Sequence, residues 1–198
     1  MKRRIGIVGA IWCVLGAWLA AQGGGRPASP AGTSATQIGG SAGKWIEISS
    51  GRPIKRGRDL WGSGADYGKL LTDGAPVWRA GANLTTKLTT ELPIVINGKT
   101  LAPGAYSLLI DLKPNAWTLI VSSQTAQVRY DADNRTDLYG GFNYAPDKDV
   151  VRAPMTLSTL PIAIDQLTWN VADVTETGGK LAIMWDKTLA TTAFTVEK

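Results

Sequence analysis

The stretch PIVINGKTL, residues 93–101, decides the fold class. An apolar, β-branched run, 93–96, and the short strand-length piece Lys-Thr-Leu, 99–101, flank Asn97-Gly98. Asn-Gly is the strongest short-range hairpin signal, because both residues tolerate the positive φ of a type I′ turn. The same grammar repeats outward. Towards the C-terminus, 106–112 and 117–122 are apolar runs of strand length separated by Lys113-Pro114-Asn115, a turn sequence. Residues 127–130 are strand-like, and 150–157, 166–174, 180–185 and 193–196 follow, with Gly178-Gly179 joining two of them as a hairpin. Towards the N-terminus, 84–91 (LTTKLTTE) is heavy in Thr, which suits a strand with one wet face. Residues 77–79 read as a short extended piece, 44–49 (KWIEIS) as a strand, and 33–38 as a short first strand. No segment has the periodicity of a three-turn amphipathic helix. Many short strands with turn signals between them predict an all-β, antiparallel β-sandwich, jelly-roll-like, with two long loops at 51–74 and 131–146. Loops of that length in a compact domain are usually functional or folded on themselves.

The chain has 198 residues, enough for one domain. Lys2, Arg3 and Arg4 precede an uncharged run, IGIVGAIWCVLGAWL, followed by the small residues Ala20, Ala21 and Gly23. That is the layout of a secretory signal peptide over residues 1–21, cleaved after Ala21 or Gly23. The run is shorter than the ~20 residues that span a bilayer. The expected protein is therefore extracytoplasmic, periplasmic or secreted, with no membrane span after cleavage. Residues 22–32, rich in Gly, Ala, Ser and Pro, read as a flexible lead-in, and 33–198 as a single domain. Losing the three signal cations lowers the formal net charge from +5 to +2. Without a basic stripe, nucleic acid is not an expected partner.

Residue types absent from the sequence narrow the chemistry further. There is no histidine, and the single cysteine, Cys13, lies inside the signal run. Ser-His-Asp and Cys-His catalysis are excluded, and N/S-ligated zinc with them. No cofactor is expected. Carboxylate, lysine, tyrosine and arginine chemistry remain.

An ordered series of motifs identifies a family. Trp78, Arg79, Gly81, Ala82, Asn83 and Thr86 fit W-R-x-G-A-N-x-x-T, and Arg52, Pro53, Gly57 and Arg58 fit an upstream R-P-x-x-[KR]-G-R. The hairpin at Ile96-Asn97-Gly98-Lys99 and the segment Pro103-Gly104-Ala105-Tyr106-Ser107-Leu108 come next. Asn143, Tyr144, Pro146, Asp149, Val150 and Arg152 fit N-Y-x-P-x-x-D-V-x-R. Together they resemble the bacterial family catalogued as domain of unknown function 2911, strongly from Ser29 to about Arg152 and loosely beyond. The resemblance implies an exported β-rich domain and no assigned activity. One departure stands out. Where the family reads Tyr-Ser-Arg-Pro, this chain reads Ser49-Ser50-Gly51-Arg52-Pro53, losing an aromatic and gaining a glycine.

Four constellations could carry chemistry. Arg52, Arg58, Arg79 and Arg152 offer rigid donor forks for carboxylate or phosphate, with Asn83 and Tyr106 expected nearby. The same arginines could instead pair with Asp59, Asp66, Asp149 or carbonyls and tie loops down. Asp131, Asp133 and Asp137 alternate like the start of a calcium loop, but Arg135 and Phe142 stand where an EF-hand needs ligands. Asp111, Asp149 and Glu47 are candidates for a hydrolase carboxylate pair. Trp61, in a Gly-rich loop, could stack on a sugar or cap the core, whereas Trp117, Trp169 and Trp185 read as core. The favoured expectation is non-catalytic binding of a small anionic or carbohydrate ligand through Arg79, Asn83, Arg58, Arg152, Tyr106 and Trp61. The alternatives are an envelope assembly or structural partner and a carboxylate-type glycan hydrolase or lyase.

Overall fold

The computed structural model describes residues 29–39 and 42–197. The proposed signal peptide and residues 22–28 of the proposed lead-in lie outside the described residues. Ten strands form two antiparallel sheets: β1 (Ala31–Ile38), β2 (Lys44–Gly51), β3 (Ala82–Thr90), β4 (Ile94–Ile96), β5 (Lys99–Leu101), β6 (Gly104–Asp111), β7 (Thr118–Ser122), β8 (Asp149–Pro154), β9 (Thr156–Thr175) and β10 (Gly178–Val196). One sheet has the order β1-β2-β3-β6-β7-β8, the other β5-β4-β10-β9. The sandwich expectation holds. Within the larger sheet the order is a meander interrupted once, where the β4–β5 hairpin crosses to the other sheet, whereas a jelly roll interleaves two Greek keys. Asn97 and Gly98 close that hairpin with φ of +49° and +72°, as a type I′ turn requires.

The core lies between the sheets. Ile46, Ile48, Leu88, Leu108, Ile110, Leu119 and Val121 face Leu167, Trp169, Leu181, Ile183, Trp185 and Phe194. β2 alternates, burying Ile46, Ile48 and Ser50 and turning Glu47 outward, as a strand with one wet face should. β6 and β7 do not alternate. Leu108 to Ile110 and Leu119 to Val121 are continuously buried, because residues 123–146 fold back over the outer face. There Leu109 and Ile120 pack with Val77 and Leu138 in a second small core.

Three local expectations change. Residues 127–130 form no strand. Ala126 makes a single bridge to Leu138, and the Gln127 side chain binds the loop from within. Its amide donates to the carbonyls of Asn134 (3.1 Å) and Asp137 (3.3 Å), and its carbonyl accepts the Asp131 N–H (2.9 Å). Residues 156–175 and 178–196, read from sequence as separate short pieces, are two long paired strands with register shifts around Asp186. Pro161 is tolerated because β9 is an edge strand, and Asp186, at φ +52°, absorbs a bulge. Finally, β1 begins at Ala31, inside the stretch expected to be a lead-in, because the edge of β2 is free to pair with it from Gly51 to Lys44.

Candidate functional site

Residues 78–83 leave the larger sheet and return to it as β3. Trp78 is fixed first. It exchanges two backbone hydrogen bonds with Ile110 (2.9 and 2.8 Å), and its side chain is buried. Ala80 and Asn83 then take positive φ, +52° and +64°. The Ala80 carbonyl accepts from the Thr86 hydroxyl (3.1 Å) and from the Trp169 indole N–H (2.8 Å), which ties the segment to the opposite sheet. A Cβ on Gly81 would lie 2.8 Å from the Thr86 hydroxyl and 3.0 Å from the Gly51 carbonyl, and one on Gly51 would lie 2.0 Å from the Ala82 carbonyl. Two backbones approach here too closely for any side chain. That accounts for Gly81 in the signature and for the glycine at 51.

The segment turns Arg79 outward into a cleft of about 720 Å³, within the size range of ligand sites. The two long loops form its walls. From residues 51–74 come Ile54, Arg56, Arg58, Leu71 and Asp73, and from residues 131–146 comes Tyr139; Trp78 and Trp185 lie beneath. The Arg79 Nη1 donates to the Asn83 carbonyl (2.8 Å). Its guanidinium lies flat against Gly140, where a Cβ would stand 2.8 Å from Arg79 Cζ. Asn83 Nδ2 donates to the Ser29 carbonyl (2.9 Å), pinning the start of β1. Arg58 donates to the carbonyls of Lys55 (3.0 Å) and Ile54 (2.8 Å), and its guanidinium sits 5.8 Å from the Trp185 ring centroid, a cation–π distance. Arg56, at φ +52°, occupies the exposed turn between Lys55 and Arg58.

None of Arg56, Arg58 and Arg79 has an ion-pair partner among the described residues, and neither does Asp73 on the rim. A guanidinium carries five N–H donors. Arg79 spends one of them on protein and Arg58 two. The cleft therefore presents three positive charges with donors to spare; main-chain carbonyls hold Arg58 and Arg79 without neutralising them.

The other sequence candidates lie elsewhere. Arg152 on β8 bonds the carboxylates of Asp149 (2.9 Å) and Asp111 (3.2 Å) and the Tyr144 hydroxyl (2.9 Å). Tyr144 donates to the same Asp149 oxygen (2.5 Å). Burial, then that bond, raise the Tyr144 hydroxyl above its ordinary pKa. Desolvation opposes the charge on Arg152, but Asp149, Tyr144 and Asp111 outweigh it and raise its pKa. The pair Asp111 and Asp149 thus meets around an arginine, and Glu47 lies apart with Trp45 and Glu91. Arg52 ties β2 to β9 through Leu167 O (3.1 Å) and the Thr168 hydroxyl (3.2 Å). Tyr106 donates to the Ala102 carbonyl (2.9 Å), outside the cleft. Trp61 caps the core, its ring 4.6 Å from Trp117 and 6.1 Å from Trp78. Asp131 Oδ1 accepts the Asp133 N–H (3.0 Å), and Asp137 Oδ2 accepts from Asn134 Nδ2 (2.8 Å). Among the described residues no three acidic side chains form a group able to hold a metal ion.

Sequence reasoning brought Arg79, Asn83 and Arg58 together and missed Arg56, Asp73 and Tyr139. Arg56 had a signal, the Arg-Gly-Arg run in a turn. Tyr139 had none, since only the tertiary fold brings its loop to Arg79. A family model described as Protein of unknown function (DUF2911) matches residues 29–194. No curated protein and no solved structure matches the chain.

Proposed function

The chain belongs to the family described as Protein of unknown function (DUF2911), and within it we propose that this protein is an exported, non-catalytic binding module whose cleft takes a small anionic ligand. The observation that carries the reading is the set of three arginines, Arg56, Arg58 and Arg79, converging on one cleft without ion-pair partners among the described residues. Arg152, by contrast, has its charge answered by Asp149 and Asp111, and Arg52, which has no ion pair among the described residues, spends its donors on β9 and lines no part of the cleft. Three unanswered guanidinium groups in one concavity favour a ligand bearing carboxylate or phosphate oxygens. The signal-like N-terminus supports export, and the binding of both Asp111 and Asp149 by Arg152 supports a binding role over a carboxylate-type hydrolytic one.

Thermal unfolding of the purified protein with inorganic phosphate, citrate and galacturonate tests the reading. A ligand at about 100 times its Kd adds about 2.7 kcal/mol, which for a domain of this size is about 5–10 °C in Tm. The expected result is a saturable rise with at least one anion, lost in Arg79→Ala and Arg58→Ala while both variants stay folded. A rise that persists in both variants, or none with any anion, refutes the proposal and redirects the search to a protein partner.

A further inference from the structure

A second cavity, about 290 Å³, adjoins the arginine cleft, and Tyr139 lines both. The turn 139–142 joins them. Tyr139 and Phe142 exchange backbone hydrogen bonds (3.3 and 3.0 Å); Gly140 at its tip supports Arg79, while the two aromatic rings flank the second cavity. Tyr130 completes a shelf there, its ring 4.8 Å from that of Tyr139 at 55°. Tyr130 is 65% exposed and Phe142 39%. Large aromatics left open beside one another mark a binding surface. Arg135 and Asp131 edge the same cavity. Arg135 has no hydrogen bond or ion pair among the described residues. The loop that carries these groups is braced from inside by Gln127, as above, and by Asn143, whose Nδ2 donates to the carbonyls of Asn134 (3.1 Å) and Asp137 (3.0 Å). The shelf is therefore preorganised, which lowers the ordering cost of binding.

We propose that the two cavities form one groove for an acidic oligosaccharide at least two rings long. This rests on the anion reading of the cleft. One acidic group, carboxylate or sulfate, engages Arg79, Arg58 and Arg56. The next ring lies on the Tyr130–Tyr139–Phe142 shelf and places its own acidic group at Arg135. Sugar rings suit the shelf because one face is apolar while the edge carries hydroxyl groups. Those hydroxyls donate, and Asp131 and Asp73 stand at the walls of the two cavities as acceptors. A single-stranded DNA would also seek arginines and aromatic rings, but it offers almost no hydroxyl donors to Asp131 and Asp73, whereas each sugar ring carries several beside its acidic group.

Titration calorimetry of the purified protein decides the matter. The probes are galacturonic acid and its di- to tetrasaccharides, mannuronate oligosaccharides, a heparin-derived tetrasaccharide, neutral cellotetraose, inorganic phosphate and oligo(dT). At least one acidic tetrasaccharide is expected to bind about tenfold or more tighter than the corresponding monosaccharide or phosphate. Tyr130→Ala and Arg135→Ala, both at exposed positions, are expected to remove that increment and leave the affinity for the single anion unchanged. Affinity independent of chain length overturns the groove and leaves the small-anion cleft standing. Equal or tighter binding of oligo(dT) or cellotetraose overturns the acidic-glycan assignment. Binding of neither phosphate nor any oligosaccharide overturns both readings.

Discussion

Substituting Gly140 by alanine joins the stability of the fold to the chemistry of the cleft through one methyl group. Gly140 has φ +64°, a region that costs an L-residue about 1–2 kcal/mol. The stiffer unfolded chain returns about 0.4–1 kcal/mol, leaving a net backbone cost of about 1 kcal/mol. The new Cβ also stands 2.8 Å from Arg79 Cζ, so the guanidinium must move off the glycine and away from the Asn83 carbonyl, 2.8 Å distant. A charge-assisted hydrogen bond is worth about 1.5–3 kcal/mol, and because this one is exposed to solvent the lower end applies. Gly140→Ala is therefore expected to destabilise by about 2–3 kcal/mol, about 4–12 °C in Tm. With Arg79 displaced, phosphate affinity falls about tenfold, equivalent to about 1.4 kcal/mol. Gly98→Ala is the control. Gly98 has φ +72° with nothing within 4 Å of a built Cβ, so that variant carries the backbone cost alone and binds phosphate as the parent does. Urea unfolding followed by tryptophan fluorescence, with and without phosphate, reads both quantities. If Gly140→Ala binds phosphate as tightly as Gly98→Ala, Arg79 is not positioned by the glycine contact and the account of the cleft fails.

Two further outcomes separate the Arg152 cluster from the cleft. Arg152→Ala leaves the Asp149 side chain, 6% exposed, without its cation; because the arginine is itself 43% exposed, the expected loss is about 1–3 kcal/mol in urea titration, with phosphate affinity unchanged. A fall in affinity would bring Arg152 back as a ligand contact. Burial and the bond to Asp149 hold Tyr144 above the ordinary tyrosine value of 10.0, so below that pH its contribution to stability is fully present. As pH rises further the unfolded chain gives up its proton first, and the contribution declines. Phenolate absorbance should show one late tyrosine that Tyr144→Phe abolishes; loss of an early one instead refutes the assignment.

The fold was legible where a few neighbouring residues settle the backbone. Asn97-Gly98, the Lys113-Pro114-Asn115 turn and the apolar runs beside them specify strands and turns through local φ preferences and side-chain alternation. The misread elements are those whose state depends on a distant partner. Pro161 and Asp186 look like breakers until an edge position and a bulge accommodate them. Residues 127–130 look like a strand until Gln127 spends its side chain on the loop. In the site, Arg79, Asn83 and Arg58 were visible through the motif. That Arg152, from a motif of the same family pattern, is instead neutralised by Asp111 and Asp149 was not, because Asp111 is 41 positions away in the chain.

By itself, then, the sequence determined the all-β class, the hairpins, the two long loops and the exclusion of histidine chemistry, since all of these are properties of residue type and near-neighbour spacing. The tertiary structure alone decided which loops meet. Residues 51–74 and 131–146 are separated in the chain by the strands β3 to β7, yet they face one another across Arg79 because the strand order of the larger sheet brings their ends to one side and Gly140 can accept a guanidinium where any other residue would present a Cβ. Which charges were cancelled and which were left free followed from that meeting. Pairing is a matter of ångströms between side chains far apart in the chain, and spacing along the sequence carries no such distance.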